Sequence, residues 1–468
     1  MNEEREEGRA SFRDTVSIVD RRGKRRWIYP RKAGGPLTRA RALAAVVLLG
    51  ILFGVPFLRT EGHPFMLFDI PTRRFILFGT AFGPYDYYLF ALGFITLAVF
   101  ILLFTAVFGR IFCGWICPQT VFMEMVFRPI EYLLEGDHRA QRRLNGMPWT
   151  GGKLLRKGAK YAVYFGISFL ISNILLAWII GVEKLMAIVT DPPGDHLAGL
   201  AAMLVFSGVF YWIFIWFREQ ACILVCPYGR LQGVLLDAHS IVIAYDHVRG
   251  EPREPIRRGK EKSGGDCIAC NLCVDVCPTG IDIRNGTQLE CVNCTACIDA
   301  CNAVMAKVRR PKGLIRYDSA LGIASGRRRI FTPRVAGYAA LFLMLAGTLT
   351  VLASGRQEVE LTVLRTPGMF YQEHPDGRVS NLYDVKIINK TFKPATLELR
   401  LMEPEGELEV LGGAFVIPPQ AAQEQKLMVY LRRGALKAMS TPLVIGVFRN
   451  GEETGAVRSS FLGPAGRK

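Results

Sequence analysis

Histidine and acidic side chains are scarce in this sequence, and its last third has no cysteine. The 468 residues include only 6 His, and 41 Asp plus Glu stand against 58 Lys plus Arg, which gives a net charge of +17. Residues 302–468 carry no cysteine, a distribution that excludes a secreted disulfide scaffold. No two histidines share a ligand spacing, which disfavours haem bound by a histidine pair.

The excess of basic residues is explained best by membrane topology. No nucleic-acid motif accompanies it, so we expect no nucleic-acid partner. The basic residues instead flank apolar segments, as at Arg25–Arg26, Arg142–Arg143 and Arg327–Arg329. Cytoplasmic flanks of membrane spans have this composition. The first 36 residues are polar, and no cleavable signal peptide is expected.

Half of the residues are hydrophobic, and five stretches are long enough to cross a bilayer as helices. These stretches are 39–59, 85–108, 158–181, 197–217 and 334–353. The alternation of basic flanks predicts a membrane protein with its N-terminus inside and its C-terminus outside. The predicted segments are a cytoplasmic N-terminus over 1–38, a four-helix core over 39–217, a cytoplasmic loop over 218–333, a fifth span over 334–353 and a periplasmic domain over 354–468. Within the core, the loop 109–157 would be cytoplasmic, and 60–84 would face the periplasm, lie on the membrane surface or dip into it.

The segment after the fifth span has the pattern of an all-β domain. Short alternating runs such as LYDVKIINK and ATLELRLM recur between turn sequences. About seven strands at this spacing predict an immunoglobulin-like sandwich, although the paired cysteines of antibody domains are absent. This segment has no recognisable group of catalytic residues, so its expected role is binding or docking.

Eight of the twelve cysteines form two runs with the same spacing, between residues 267 and 301. The first run is Cys267, Cys270, Cys273 and Cys277. The second run is Cys291, Cys294, Cys297 and Cys301. This spacing is typical of two-cluster ferredoxins, in which the fourth cysteine of each run binds the other cluster. Zinc sites do not require this rhythm. We therefore predict two [4Fe-4S] clusters in a ferredoxin-like domain over about 260–310.

The predicted clusters divide the eight cysteines into two ligand sets. The cluster-1 set is Cys267, Cys270, Cys273 and Cys301. The cluster-2 set is Cys291, Cys294, Cys297 and Cys277.

A second cysteine motif, C-x3-C-P, occurs twice, each time directly after a predicted span. It lies at Cys113–Pro118 and at Cys222–Pro227, with an arginine just upstream in both (Arg110 and Arg218). Thiols at i and i+4 share a helix face, and the proline favours a break after them. Four soft sulfurs could converge here to bind Cu(I), zinc or an iron–sulfur centre. Redox-active dithiols and small buried core cysteines are the alternatives.

With these motifs and the segment Arg310–Tyr317 (RPKGLIRY) in view, the chain resembles the FixG/RdxA-like (CcoG) cytochrome c oxidase accessory proteins over nearly its whole length. The resemblance implies an inner-membrane polyferredoxin that assists assembly of the cbb3-type oxidase by reducing Cu(II) to Cu(I). It assigns the eight clustered cysteines to two [4Fe-4S] clusters. It also makes Cys113, Cys117, Cys222 and Cys226 the membrane-proximal cysteines.

The leading hypothesis is accordingly a cupric reductase. An unknown cytoplasmic donor would supply electrons, and membrane lipid, copper carriers or oxidase assembly factors would be the partners. A wider similarity to the quinol dehydrogenases of periplasmic nitrate reduction supplies a second hypothesis. A third is a non-catalytic copper carrier or assembly scaffold with structural clusters.

Overall fold

The computed structural model describes residues 17–19, 22–256, 264–327, 329–413, 415–436, 438–449 and 451–464. The expected basic segment over 1–38 therefore lies partly outside the described residues, as does Arg328 of the basic flank at 327–329. The chain forms two compact units. One unit comprises 1–56 and 91–349, and the other comprises 57–90 and 350–468.

Five helices are long and apolar enough to cross a membrane, which agrees with the number predicted. They are Pro36–Phe57, Pro84–Phe108, Gly151–Ile180, Leu197–Phe217 and Pro333–Ser354. Large side chains such as Leu43, Val46 and Val205 are exposed on their surfaces. A helix in lipid presents such side chains outwards, because the surrounding acyl chains are equally apolar. The fold is that of a membrane protein.

The third and fourth of these helices pack through small and aromatic side chains. The hydroxyls of Ser172 and Ser207 are hydrogen-bonded at 2.7 Å, so the two backbones approach closely. In a second contact, the ring of Phe127 stacks on that of Phe214 and is tilted against that of Tyr164, with centroids 4.7 Å apart in both pairs. Phe127 lies in an irregular helical turn, Phe122–Phe127, between the short helices Pro118–Val121 and Arg128–Leu134. Two further short helices near these spans are His138–Gly146 and Val182–Thr190.

The cysteine-rich segment folds around a small two-stranded sheet. Strand Val242–Tyr245 pairs antiparallel with strand Ile315–Asp318, and these strands bracket the two cysteine runs. Helix Leu272–Asp275 lies within the run at 267–277, and helix Ala296–Lys307 begins within the run at 291–301. Both helices contribute to one core with Ile243, Ile281 and Ile315. The other helices of this part are Pro227–Leu235, His247–Gly250 and Ala320–Ser325.

The second unit contains the predicted sandwich. In one sheet the strand order is Gly406–Leu411, Ala422–Arg432, Arg378–Asn389 and Val359–Arg365, and Gln372–Glu373 also pairs with Arg378–Asn389. In the other sheet the order is Phe415–Ile417, Ala395–Glu403, Ser440–Arg449 and Glu452–Leu462. Along Ala395–Glu403 buried and exposed residues alternate, as a half-buried strand requires. The two apolar faces enclose a core that includes Tyr383, Leu427 and Ile445.

Residues 60–84, which the sequence left unplaced, form small antiparallel sheets in the second unit. Strands Arg59–Thr60 and His63–Pro64 make one sheet, and Leu67–Asp69, Arg74–Leu77 and Thr80–Phe82 make another. Buried Asp86 follows this second sheet, accepting hydrogen bonds from Arg356 and Lys390 at 2.9 and 2.8 Å. These ion pairs attach the segment to the sandwich-bearing unit.

Candidate iron–sulfur and thiol centre

The cluster-1 set of cysteines surrounds one cavity. Cys267, Cys270, Cys273 and Cys301 all line it, together with Tyr245, Arg284 and Met305. Three of these cysteines come from the first run, and Cys301, the last cysteine of the second run, lies in helix Ala296–Lys307. Cys270 is exposed, whereas Cys267 and Cys273 are buried. This cavity therefore has one edge at the protein surface.

The cluster-2 set of cysteines surrounds a second cavity. Cys277, Cys291, Cys294 and Cys297 line it, with Thr279, Ile281 and Val292. Cys273 of the cluster-1 set lines this cavity as well, so the two cavities share a wall. The structure thus places the cysteines in the two sets that the crossed spacing predicts. The assignment of each cysteine as a ligand remains a prediction.

The backbone of both runs adopts the same unusual conformation. Ala269 and Asn271 of the first run have φ of 51° and 59°, and Asn293 and Thr295, at the corresponding positions of the second run, have 54° and 66°. Left-handed backbone costs about 1 kcal/mol or more at a residue other than glycine. Alternation of right- and left-handed residues turns successive N–H groups towards one point, forming a concavity that binds anions and iron–sulfur centres. Both loops therefore fit a negatively charged cluster.

Two buried side chains of the cluster-2 loop have unpaired donors. The Nδ2 group of Asn293 and the hydroxyl of Thr295 have no hydrogen-bond partner among the described residues, although both side chains are buried. The Asn293 Oδ1 atom lies 3.5 Å from the Cys291 sulfur. A buried donor without a partner costs about 1–3 kcal/mol. Both residues flank Cys294 in the sequence, but neither is among the residues that line the second cavity.

Burial controls the ionisation of these thiols in the metal-free protein. Desolvation raises the pKa of Cys273, Cys291 and Cys301 to about 12, and that of Cys294 to about 11. Nearby cysteines add to the effect at Cys273, Cys291 and Cys301. Iron binds the thiolate, so loading the clusters must release protons. In the described part of the chain, no group of three or more His, Cys, Asp or Glu side chains is close enough for a single metal ion.

The C-x3-C-P motifs lie at helix breaks, and each proline begins a new helix. Cys113 lies in helix Ile111–Trp115, and Cys117 precedes helix Pro118–Val121. Cys222 lies in the irregular turn Ala221–Val225, and Cys226 precedes helix Pro227–Leu235. Proline suits the first position of a helix, because the N–H it lacks would be unsatisfied there. The two repeats therefore present their cysteines at equivalent junctions.

The two motifs pack against each other. The amide of Gln119 donates to the Arg218 carbonyl at 3.2 Å, and the rings of Phe112 and Tyr228 meet edge to face. The pKa of Cys222 rises to about 12 through burial, and Cys117, Cys113 and Cys226 raise it further. Cys117, Cys113 and Cys226 thus lie within electrostatic range of Cys222. The two motifs pack together, and convergence of the four sulfurs on one metal stays a prediction.

The first motif also packs directly on the cluster-2 loop. A Cβ atom on Gly114 would lie 2.5 Å from the Val292 carbonyl oxygen and 2.6 Å from that of Asn293, so only glycine fits. The Trp115 indole N–H donates to the Tyr317 hydroxyl at 3.1 Å, and that hydroxyl donates to the Asn293 carbonyl at 3.1 Å. Tyr317 belongs to the RPKGLIRY segment. These contacts hold Cys113 beside the second cavity.

Cys222 approaches the same cavity from the other motif. It lines a pocket with Met123 and Glu124, and the far wall of this pocket is formed by Thr279 and Val292. Thr279 and Val292 also line the cluster-2 cavity. A single layer of side chains thus separates the cluster-2 cavity from the Cys222 pocket.

Several residues of this centre were not identified from the sequence. Arg41, from the first span, donates through Nε to the Gly114 carbonyl at 3.0 Å and through Nη1 to the Cys294 carbonyl at 2.8 Å. The only signal was a charged residue inside an apolar run, which marks function by default. The upstream arginines of the repeat have different partners. Arg110 donates to Gln232 Oε1 at 2.7 Å, whereas Arg218 donates to both carboxylate oxygens of Glu131.

Comparisons with known proteins agree with this architecture. Residues 217–320 match the family described as a 4Fe-4S dicluster domain, and residues 90–137 match a 4Fe-4S binding domain. Residues 349–464 match the Ig-like fold at the C-terminus of FixG. The segment 90–137 contains Cys113 and Cys117 as its only cysteines.

Relatives extend over most of the chain. Protein RdxA of Cereibacter sphaeroides is 33% identical over 461 residues, covering 93% of this chain and 97% of RdxA. Nitrogen fixation protein FixG of Rhizobium meliloti is 32% identical over 456 residues, covering 86% of this chain and 85% of FixG. The crystal structure of a FixG-related protein from Vibrio parahaemolyticus is 18% identical and covers 23% of this chain and 99% of that one, with a TM-score of 0.19.

The expected resemblance and fold class are confirmed by these relatives, which share the chain from its spans to its sandwich. The chain belongs to the FixG/RdxA family, and it is a membrane iron–sulfur protein of electron transfer with two [4Fe-4S] clusters.

Proposed function

We propose that the protein reduces Cu(II) to Cu(I) at the membrane-proximal cysteines Cys113, Cys117, Cys222 and Cys226. The observation that carries the proposal is the shared wall between the Cys222 pocket and the cluster-2 cavity. Iron–sulfur clusters take up and release single electrons, and Cu(II) needs one electron to become Cu(I). Each cluster can therefore supply the one electron that a Cu(II) ion requires.

The cysteines supply the second half of the chemistry. Thiolate and thioether sulfur favour Cu(I), whereas Cu(II) favours nitrogen and oxygen. The pocket contains both kinds of donor, with Cys222 and Met123 as sulfur atoms and Glu124 and Glu219 as carboxylates. Glu124 and Glu219 are both paired with Arg128, so sulfur is the donor that remains open to a copper ion. Sulfur coordination at such a site stabilises the Cu(I) product relative to the Cu(II) substrate.

The electron must come from the cytoplasm in this proposal. Each Cu(II) that gains one electron requires one electron from a cytoplasmic reductant, which is oxidised in turn. The basic flanks support a topology in a bacterial inner membrane with the N-terminus and the cysteine-rich segment inside and residues 354–468 in the periplasm. Cys270, the exposed cysteine of the cluster-1 set, marks the side on which the reductant docks. Cu(I) would then pass to copper carriers or assembly factors of a cbb3-type oxidase.

A single-turnover assay tests the proposal. The anaerobic holoprotein is reduced, freed of reductant by desalting and mixed with Cu(II) and a chromogenic Cu(I) chelator. Two clusters store two electrons, so up to two Cu(I) per chain are expected. The double variant Cys222→Ser/Cys226→Ser should keep its iron and lose most of this yield. Absence of Cu(I) formation by the fully reduced wild type would overturn the proposal.

A further inference from the structure

Two buried arginines lie between the membrane helices and the cluster-2 loop. Arg41 is 5% exposed and Arg110 is 4% exposed. Arg41 comes from the first spanning helix, and Arg110 follows the second. Neither forms an ion pair with a carboxylate within the part of the chain that the structure describes.

Among the described residues, the oxygen atoms that accept hydrogen bonds from these two arginines are neutral. Arg41 donates to the Gly114 and Cys294 carbonyls. Arg110 donates to Gln232 Oε1 and to the Leu289 carbonyl. A guanidinium buried without a counter-charge is destabilising by several kcal/mol. A compensating negative charge is therefore expected nearby.

The groups nearest to supplying that charge are the thiolates of the cluster-2 set. The Arg41 guanidinium reaches the Cys294 carbonyl at 2.8 Å, and Arg110 reaches the carbonyl of Leu289, two residues before Cys291. Gln232 Oε1, which accepts from Arg110 at 2.7 Å, also lies 3.4 Å from the Cys113 sulfur. Both cations thus lie beside the loop that carries the cluster-2 set, and Arg110 also lies close to Cys113.

The cluster-1 cavity has a different electrostatic environment, because the arginine that lines it is neutralised. This residue, Arg284, is paired with Asp282 at 2.7 Å. Arg249 and Arg310 share one carboxylate, Asp266, at 2.7 Å, so one of their two charges is uncompensated, but both side chains are partly exposed to solvent. The carboxylate acting on Cys294, Glu124, is itself paired with Arg128 at 2.8 Å. Buried uncompensated positive charge is therefore concentrated at the second cavity.

We propose that Arg41 and Arg110 are positioning residues that make the cluster-2 site the higher-potential of the two and so direct electrons towards the membrane-proximal cysteines. Positive charge stabilises the reduced, more negative state, and local charge is one of the determinants of cluster potential. The order of potentials rests on the two clusters alone. Only the destination of the electron rests on the proposed copper reduction.

An EPR-monitored redox titration of the anaerobic holoprotein tests this order. We expect two reduction waves in the wild type. In Arg41→Gln and in Arg110→Gln the higher wave should move to lower potential, and the lower wave should stay. At the wild-type midpoint of the higher wave, the ratio of oxidised to reduced cluster should rise about tenfold, the effect of losing one charge at moderate effective dielectric.

Three further variants separate charge from packing. Arg41→Lys keeps the charge and should keep the wave near its wild-type position. Arg39→Gln removes the same charge from an exposed position of the same helix and should shift neither wave. Asp282→Asn leaves Arg284 uncompensated and should raise the lower wave, which provides a test even if Arg41→Gln fails to retain iron.

Unchanged waves in Arg41→Gln and Arg110→Gln, or a lower wave that stays in place in Asp282→Asn, would overturn the inference. These measurements involve no copper. A protein with shifted waves that leaves Cu(II) unreduced would refute the proposed function and keep the inference.

Discussion

Gly114 has no room for a side chain where the first C-x3-C-P motif meets the cluster-2 loop. Its backbone lies against the carbonyls of Val292 and Asn293, and any side chain would meet backbone atoms that cannot rotate away. The identity of this residue therefore sets how closely the first C-x3-C-P motif can approach the cluster-2 loop.

Replacement of Gly114 by alanine should separate these two segments. We expect a loss of about 1–3 kcal/mol in the free energy of unfolding, the usual cost of overpacking, and reduced iron retention by the second cluster. Thermal unfolding in detergent and iron analysis of the purified variant measure both effects. Gly166→Ala is the matched control, because nothing lies within 4 Å of its added Cβ and alanine favours a helix interior. Equal melting temperatures and iron contents for the two variants would contradict the close approach.

Residue-level prediction from the sequence was possible where the signal was local. The two cysteine runs could be grouped because their spacing is repeated and short. Arg41 could not be connected to Cys294, because 253 residues separate them in the sequence and no pattern relates them. The unpaired state of Asn293 Nδ2 could not be predicted either, because it depends on the folded conformation of the loop.

Among the elements, the start of the third span shows how ion pairing extends a helix. Hydropathy predicted this span from 158, whereas the helix begins at Gly151. Its first turns carry Lys157 and Lys160, which are buried against Glu135 and Glu131 rather than in lipid. Paired charges of this kind are not apparent in a hydropathy profile, because their partners come from another helix.

The tail shows a similar limit. The long strands were predicted, but Gln372–Glu373, Gly406–Leu411 and Phe415–Ile417 were not. The first and last of these are too short for alternation to be evident. The sequence GELEVL in the middle one is rich in glutamate, which is uncommon in strands, and tertiary pairing with Ala422–Arg432 overrides that preference.

Glu131, in the short helix Arg128–Leu134, is the centre of the buried ion pairs and gives a prediction at this scale. Arg218 donates to it at 2.6 and 2.9 Å, and Lys160 at 3.3 Å. Glu131→Gln removes the buried carboxylate that Arg218 and Lys160 share, and it should cost about 3–5 kcal/mol in the free energy of unfolding. Glu407→Gln, which removes the partner of Arg378 from an exposed pair, should cost less than about 1 kcal/mol.

The same carboxylate should make the wild type sensitive to acid. Arg218, which opposes desolvation, holds the pKa of Glu131 well below its ordinary value of 4.5. A depressed pKa contributes stability that is complete above the ordinary value and is lost as the pH falls towards the folded-state value. Unfolding followed from pH 7 into the acid range should show this loss in the wild type and a smaller one in Glu131→Gln. Parallel profiles would contradict the role of the carboxylate.

On the scale of the whole molecule, the chain divides its tasks between two units. All twelve cysteines lie in the unit formed by 1–56 and 91–349, and the other unit consists largely of the sandwich. The composition predicted this division, because cysteine stops at 301 and alternating strand patterns begin after the fifth span. The inclusion of 57–90 in the sandwich-bearing unit could not be predicted, since it depends on the pairing of Asp86 with Arg356 and Lys390.

Iron removal should therefore affect one unit and spare the other. The left-handed loops of the cysteine-rich unit fit bound clusters, so an iron chelator should lower the unfolding temperature of this unit markedly. The unit with the sandwich should unfold at the same temperature with or without iron. Differential scanning calorimetry before and after chelation would show this, and a uniform shift of all transitions would argue against two independent units.

The central claim, that electrons leave the clusters for copper at the neighbouring cysteines, is tested most directly by freeze-quench EPR. Reduced anaerobic protein, freed of external reductant, is mixed with substoichiometric Cu(II) and frozen at successive times. The account predicts that the signal of the reduced clusters decays while Cu(II) becomes EPR-silent, one electron for each copper ion. A full Cu(II) signal beside an unchanged cluster signal would contradict it.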